Sequence, residues 1–296
     1  FLNYLASRPL KFEGRPRLAR WGRGGCPLGR ETAIAKIIWG KDGWPLVEDG
    51  PAPQLKLPAP DFFINELGRF KNQDKHDENT PIIFADEPAF IDEFNAAQLS
   101  GRWQTLRIPF NEKLGSLTAN PNALRLYGND SLVSLFEQST VATRWRHHAF
   151  TAITHLAFNP KNFQQSAGLC CYYNTQNFTY CFLDFDEVLQ ARCLRIIQVD
   201  KQSASFHYYD NPIVIENSHS SIWLKVKVEG LKYYYSYSID GQNFTQLPAE
   251  FESWKISDDY IDGRGFFTGA FVGLHCEDIS GDGCYADFYS FSYAAN

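Results

Sequence analysis

The 296-residue chain contains no methionine, at its first position or anywhere else. It opens Phe1-Leu2-Asn3-Tyr4-Leu5 without an initiator or a signal-peptide pattern, and is expected to be a piece of something longer. No apolar run approaches the roughly 20 residues that a membrane-spanning helix needs. Helical periodicity is also scarce, and residues 92–99 offer one or two turns at most. Charge of one sign is not in large excess: 28 Lys plus Arg stand against 34 Asp plus Glu, a net −6. That mild acidity argues against partners such as nucleic acid or an anionic membrane. A hydrophobic fraction of 44% excludes wholesale disorder. Missing too are a CxxC pair, zinc-type Cys/His spacing and a GxSxG elbow, and Trp21-Gly22-Arg23-Gly24-Gly25 does not continue into a phosphate-binding loop.

Seven cysteines are present, an odd number. Cys170 and Cys171 lie in the apolar run 167–173 and read as buried free thiols. Cys276 and Cys284 flank a Gly-rich turn and would bridge a hairpin in an oxidising compartment. As a set, the cysteines suit a reducing cytoplasm better than a secreted disulfide scaffold, so a cytoplasmic location is expected. Sequons at Asn129, Asn177 and Asn243 are short enough to arise by chance.

What the chain has in surplus is aromatic side chains, 16% of its residues. They fall in segments that read as strands. Residues 33–39 are β-rich, and Asp42-Gly43 then supplies a hairpin turn. Prolines 51, 53, 58 and 60 form a stiff joint that marks a boundary. The polar patch 71–79 reads as a solvated loop. Residues 222–229 alternate, with Leu224, Val226 and Val228 on one face and Lys225, Lys227 and Glu229 on the other. Residues 232–239 alternate likewise, placing Tyr233, Tyr235, Tyr237 and Ile239 together. Many short strands with Asp-Gly and Asn-Pro punctuation predict an all-β fold of two packed antiparallel sheets, a sandwich or jelly roll.

Carboxylates come in groups, at Asp86/Glu87, Asp92/Glu93, Asp184/Asp186/Glu187, Asp258/Asp259 and Glu277/Asp278. Sugar hydrolysis needs two carboxyl groups across the scissile bond, but nothing in these spacings selects a pair. His147 and His148, read as strand neighbours, would point oppositely and share no ligand. Two segments look more deliberate. Arg30, in Leu28-Gly29-Arg30-Glu31-Thr32, follows a tight turn, where its guanidinium would fork to ligand oxygens or pair with a neighbouring Glu. Phe266 and Phe267 sit among glycines in a loop that would present a ring to a sugar face or anchor the loop in the core.

These segments carry a resemblance. WGRGGCPLGRETAIAKIIWGKDGWPLV resembles the end of the catalytic five-bladed propeller of glycoside hydrolase family 43 β-xylosidases. FNAAQLSGRWQTLRIP, NALRLYGNDSLVS, NFQQSAGLCCYYNTQNFTY and GFFTGAFVGLHCEDISG resemble that family's C-terminal concanavalin-like sandwich. The resemblance implies a propeller remnant over 1–57 and a sandwich over 58–296. It implies exo-acting, inverting hydrolysis of β-1,4-xylo-oligosaccharides, with α-L-arabinofuranosidase side activity. The family's catalytic Asp, Asp and Glu would then lie upstream of Phe1, so the chain alone is expected to be inactive and to need the missing propeller portion. Arg30 matches the family's substrate-contacting arginine. The Phe266-Phe267 loop matches the aromatic lid, with Phe267 as the ring facing the sugar. No cofactor is implied for the chemistry. A structural calcium is raised, with Asp287 and Glu87 as oxygen ligands, against the simpler reading of solvated carboxylates. A homo-oligomer is expected. The competing reading is a free-standing carbohydrate-binding sandwich without catalysis.

Overall fold

The computed structural model describes residues 2–6, 25–29, 31–48, 88–201, 203–207, 211–257, 260–261 and 268–296, with backbone alone for 2–6, 31–34 and 206. The Pro-rich joint, the polar patch 71–79 and the expected boundary at 57 lie outside the described residues. Two compact units are present, one made of Phe1–Ser7 with Arg30–Phe84, the other of Arg8–Gly29 with Ala85–Asn296.

In the first unit, β1 (Leu2–Ala6) pairs antiparallel with β2 (Glu31–Ala35). The expected strand over 33–39 is interrupted at Lys36, and β3 (Ile37–Trp39) then pairs with β4 (Pro45–Val47). The turn is the one that Asp42-Gly43 predicts. Gly43 takes φ +80°, and Gly40 N–H donates to Trp44 O at 2.8 Å. Lys36 Nζ bridges to Glu48 at 2.9 Å across the base of the hairpin. Four apolar side chains, Ile38, Trp39, Trp44 and Leu46, stay exposed on it, the two Trp at 75% and 71%.

The second unit is a two-sheet antiparallel sandwich. Sheet I runs β18 (Thr245–Glu252), β17 (Lys232–Ser238), β16 (Ile222–Glu229), β10 (Ala149–Phe158), β20 (Tyr285–Ala295), β8 (Leu124–Tyr127) and β7 (Gly115–Ser116), with β5 (Ala89–Asp92) also on β20. Sheet II runs β14 (Ser203–His207), β13 (Ala191–Asp200), β12 (Asn177–Asp186), β11 (Gln165–Asn174), β19 (Phe271–Asp278), β9 (Ser139–Arg144) and β6 (Gln104–Thr105), with β15 (Ile213–Val214) on β13. Alternation explains the layering. Leu224, Val226 and Val228 of β16 are fully buried and meet Leu169, Leu183, Leu194 and Leu274 of sheet II in one core. Each such side chain contributes about 1.5–3 kcal/mol through burial.

Strand β11 is buried on both faces, because sheet II carries a second apolar cluster on its outer side. Cys170, Tyr172, Phe178, Tyr180 and Val199 lie there, with Leu132 of the β8–β9 connection packed on them. Cys170 therefore faces outward from the sandwich core and Cys171 inward, both fully buried as expected.

Three local expectations are corrected. Residues 92–99 form no helix, because Asp92 ends β5 paired with Phe291 of β20 and Phe94 takes φ +51°, outside the helical region. A short 3-10 helix occurs instead at Ser253–Ile256. The Tyr row of β17 holds for Tyr233, Tyr235 and Tyr237, which lie opposite Val228, Val226 and Leu224 on the core side, but Ile239 is exposed because the strand ends at Ser238. His147 and His148 lie in the β9–β10 connection, where the chain crosses between sheets, rather than on a strand. The His147 N–H there donates to Tyr293 Oη at 3.2 Å.

Candidate functional site

Two short segments, distant in sequence, are pressed together on the sandwich. Residues 25–29 form a tight turn in which Gly29 N–H donates to Cys26 O at 3.1 Å. Cys26 and Leu28 insert into the sandwich core. The segment is held from β19's side and from β9. Ala270 N–H donates to Pro27 O at 2.6 Å, and Arg144 Nη2 donates to Leu28 O at 3.2 Å.

The contact is closest at two glycines. Gly29 has φ +72° and Gly269 φ +73°. A methyl group on Gly29 would lie 2.5 Å from Gly269 N, and one on Gly269 would lie 2.5 Å from Leu28 O. Glycine alone tolerates both the left-handed backbone and this backbone-to-backbone approach. The residue before Arg30 thus touches the chain two residues beyond Phe267. Arg30, Phe266 and Phe267 themselves lie outside the described residues. The sequence singled out the two segments separately. What it did not reveal was their pairing, although a glycine beside each, in Leu28-Gly29-Arg30 and Thr268-Gly269-Ala270, was the available signal.

Several of the described carboxylates are occupied structurally. Asp184 and Asp186 share Arg195, whose Nε lies 3.0 Å from Asp184. Burial pushes the Asp184 carboxyl up to about 7 against the pull of Arg195. Asp186 is held below its ordinary range, mainly by the Leu189 backbone N–H. Asp278 accepts from Ser280, Gly281, Gly283, Cys284 and Gln165. Burial works to raise its pKa, but these donors prevail and hold it low. Glu277 lies 3.4 Å from the buried His275 ring. Two carboxyl groups of β12 bound to one guanidinium of β13 tie that strand pair together.

The calcium reading does not fit Asp287. Its two oxygens accept from Arg125 Nε and Nη2, each at 2.7 Å, and Asn120 adds a third donor at 2.9 Å. A guanidinium already neutralises this carboxylate, as a fork-to-fork pair does, so a calcium ion would have to displace it. Glu87 lies outside the described residues. Among the described residues no group of three His, Cys, Asp or Glu side chains is gathered to hold a metal ion.

Rings are concentrated in the interior. Trp145, Phe150, Tyr233, Phe251 and Tyr293 form a chain of edge-on, stacked and tilted ring contacts. On sheet I's outer face, Trp223 is enclosed between the His155 ring, stacked at 3.8 Å, and Gly241.

This architecture is one that known families share. Residues 91–294 match the family model described as the beta xylosidase C-terminal concanavalin A-like domain. The chain belongs to that family. A relative from Escherichia coli (strain K12) is 52% identical over 298 residues, and the beta-xylosidase of Bacillus subtilis (strain 168) is 43% identical over 293, each match covering 99% of this chain and 51% of the relative. The crystal structure of xylan beta-1,4-xylosidase from Bacillus halodurans C-125 superimposes with a TM-score of 0.80 at 32% identity, over 99% of this chain and 50% of that one. The chain thus spans about half the length of the curated relatives it matches.

Proposed function

We propose that this chain serves as the sandwich-bearing part of a glycoside hydrolase family 43 β-xylosidase, and that its catalytic carboxylates are contributed by a propeller portion in the other half. The observation that carries the reading is the match to β-xylosidase relatives along 99% of the chain, over only half of their own length. In this reading the substrate is a β-1,4-xylo-oligosaccharide, cleaved from its non-reducing end with inversion. Arabinofuranoside cleavage is a side activity, a pairing that the xylosidase/arabinosidase name of a Humicola insolens relative supports.

Arg30 forks to substrate hydroxyls, and Phe267, with Phe266 beside it, covers the bound sugar. The contact of Gly29 with Gly269 supports this, because it anchors the flank of each segment to the same point of the sandwich. The apolar β3–β4 hairpin supports the need for a partner. Two Trp side chains on one hairpin at 75% and 71% exposure are a surface that another protein part normally covers, and the propeller portion is that partner here. Residues 1–57 then carry the end of the propeller and 58–296 the sandwich, with the turn at 25–29 docked into the sandwich core. The assembled enzyme is a cytoplasmic homo-oligomer.

The test joins this chain to the N-terminal half of the B. subtilis relative and follows hydrolysis of an aryl β-xyloside. The joined enzyme is expected to turn over, whereas the chain alone is not. Arg30→Ala is expected to lower kcat/KM by about 100-fold, the size of a lost hydrogen bond to a charged donor. Clear turnover by the isolated chain, or an Arg30→Ala enzyme as active as its parent, would overturn the assignment.

A further inference from the structure

All seven cysteines are free, yet two of them flank the turn where the sandwich changes sheets. Cys276 ends the buried stretch of β19 in sheet II, and Cys284 immediately precedes β20 in sheet I. The loop between them folds back around Asp278. Cys284 Sγ lies 3.5 Å from the carbonyl oxygen of Glu277, the residue next to Cys276. Gly128 and Asn129 clamp both sides of the crossing. Gly128 N–H donates to Cys284 O and Asp278 N–H donates to Asn129 O, each at 2.8 Å. Gly128 has no room for a side chain, since a methyl group there would lie 2.7 Å from Cys284 Sγ. Cys284 packs against the core cluster that contains Cys276, and burial above all holds the Cys276 thiol well above its ordinary range. Cys284 is half-exposed and Cys276 fully buried.

We propose that Cys276 and Cys284 form a reversible disulfide that ties the central strands of the two sheets together when a low-molecular-weight disulfide is available as oxidant. The half-exposed Cys284 reacts first. Its thiolate attacks oxidised glutathione, forming a mixed disulfide and releasing one glutathione thiolate. The Cys276 sulfur, having lost its proton to solvent, then attacks the Cys284 sulfur and expels the second glutathione. Two protein thiols are oxidised and one glutathione disulfide is reduced to two thiols, so protons and electrons balance. Because the Cys276 proton is tightly held, the second step quickens as pH rises.

The experiment treats the chain with oxidised glutathione, unfolds it in acid, and counts free thiols alongside peptide mapping. The count is expected to fall from seven to five, with a peptide linking Cys276 to Cys284, and to recover in dithiothreitol. Closing so short a loop is expected to raise Tm by roughly 5 °C. The Cys284→Ser chain should show neither the linked peptide nor the rise, while the Cys170→Ser chain should show both. A stable glutathione adduct on Cys284 without the internal bond, an unchanged thiol count, or an oxidised chain with the Tm of the reduced one would overturn the proposal.

Discussion

Thr179 shows how tightly single residues are placed in this molecule. Its Oγ1 lies 3.0 Å from Tyr233 Oη and 2.9 Å from Tyr235 Oη, between the two sheets. Thr179→Val keeps the shape but strands buried hydroxyls, so urea denaturation is expected to show a loss of about 1–3 kcal/mol. Asp184 makes the opposite case, a group whose ionisation works against the fold. Its pKa is raised to about 7 by burial. Between the ordinary carboxylate range and that value the folded chain holds a proton that the unfolded chain releases. The contribution of Asp184 to stability therefore falls as pH rises through this window. Asp184→Asn leaves Arg195 its partner Asp186, and its urea midpoint should gain on the parent's between about pH 4 and pH 7. A constant difference across that range would refute the argument.

At the scale of elements, alternation carried most of the strand assignments. The period of two in β16 matches its burial residue by residue, and Asp42-Gly43 makes the hairpin that its composition predicts. Where the reading failed, something outside the local pattern had intervened. The pairing of Asp92 with Phe291 of β20 and the φ of +51° at Phe94 replace a helix at 92–99, and the end of β17 at Ser238 leaves Ile239 outside the tyrosine row. The β19–β20 turn is a similar case, because Asp278 alone gathers donors from four residues of the turn and from Gln165. Asp278→Ala is expected to cost roughly 3 kcal/mol in chemical denaturation, since several donors lose a charged acceptor at once. A loss below about 1 kcal/mol would mean that water replaces it without penalty.

For the whole molecule, the sandwich core is completed by a segment far upstream of its first strand. Leu28 and Cys26 lie inside it, and Pro27 accepts from Ala270. Leu28→Ala is expected to lower the stability of the sandwich by about 2–4 kcal/mol, the range for a buried leucine that leaves a cavity. Thermal unfolding measures this directly, and a loss under 1 kcal/mol would show that the segment docks without filling the core. The candidate site has the same long-range character. Its segments were visible in the sequence because each pairs unusual chemistry with glycine, Arg30 after Gly29 and Phe267 before Gly269. Their proximity was not visible, since no local pattern encodes which turn meets which.

The sequence by itself determined the all-β class, the alternating faces of the long strands, the Asp-Gly turn and the burial of the vicinal Cys170 and Cys171. Those properties follow from neighbours two residues apart, and side-chain period suffices to specify them. Only the tertiary structure decided that Asp287 holds a guanidinium, that Asp184 and Asp186 share Arg195, that Cys284 packs on the cluster holding Cys276, and that Gly29 rests on Gly269. Each of these depends on register between separate strands or on a crossing between sheets. Such contacts are set by packing across the fold, and no pattern along the chain records them.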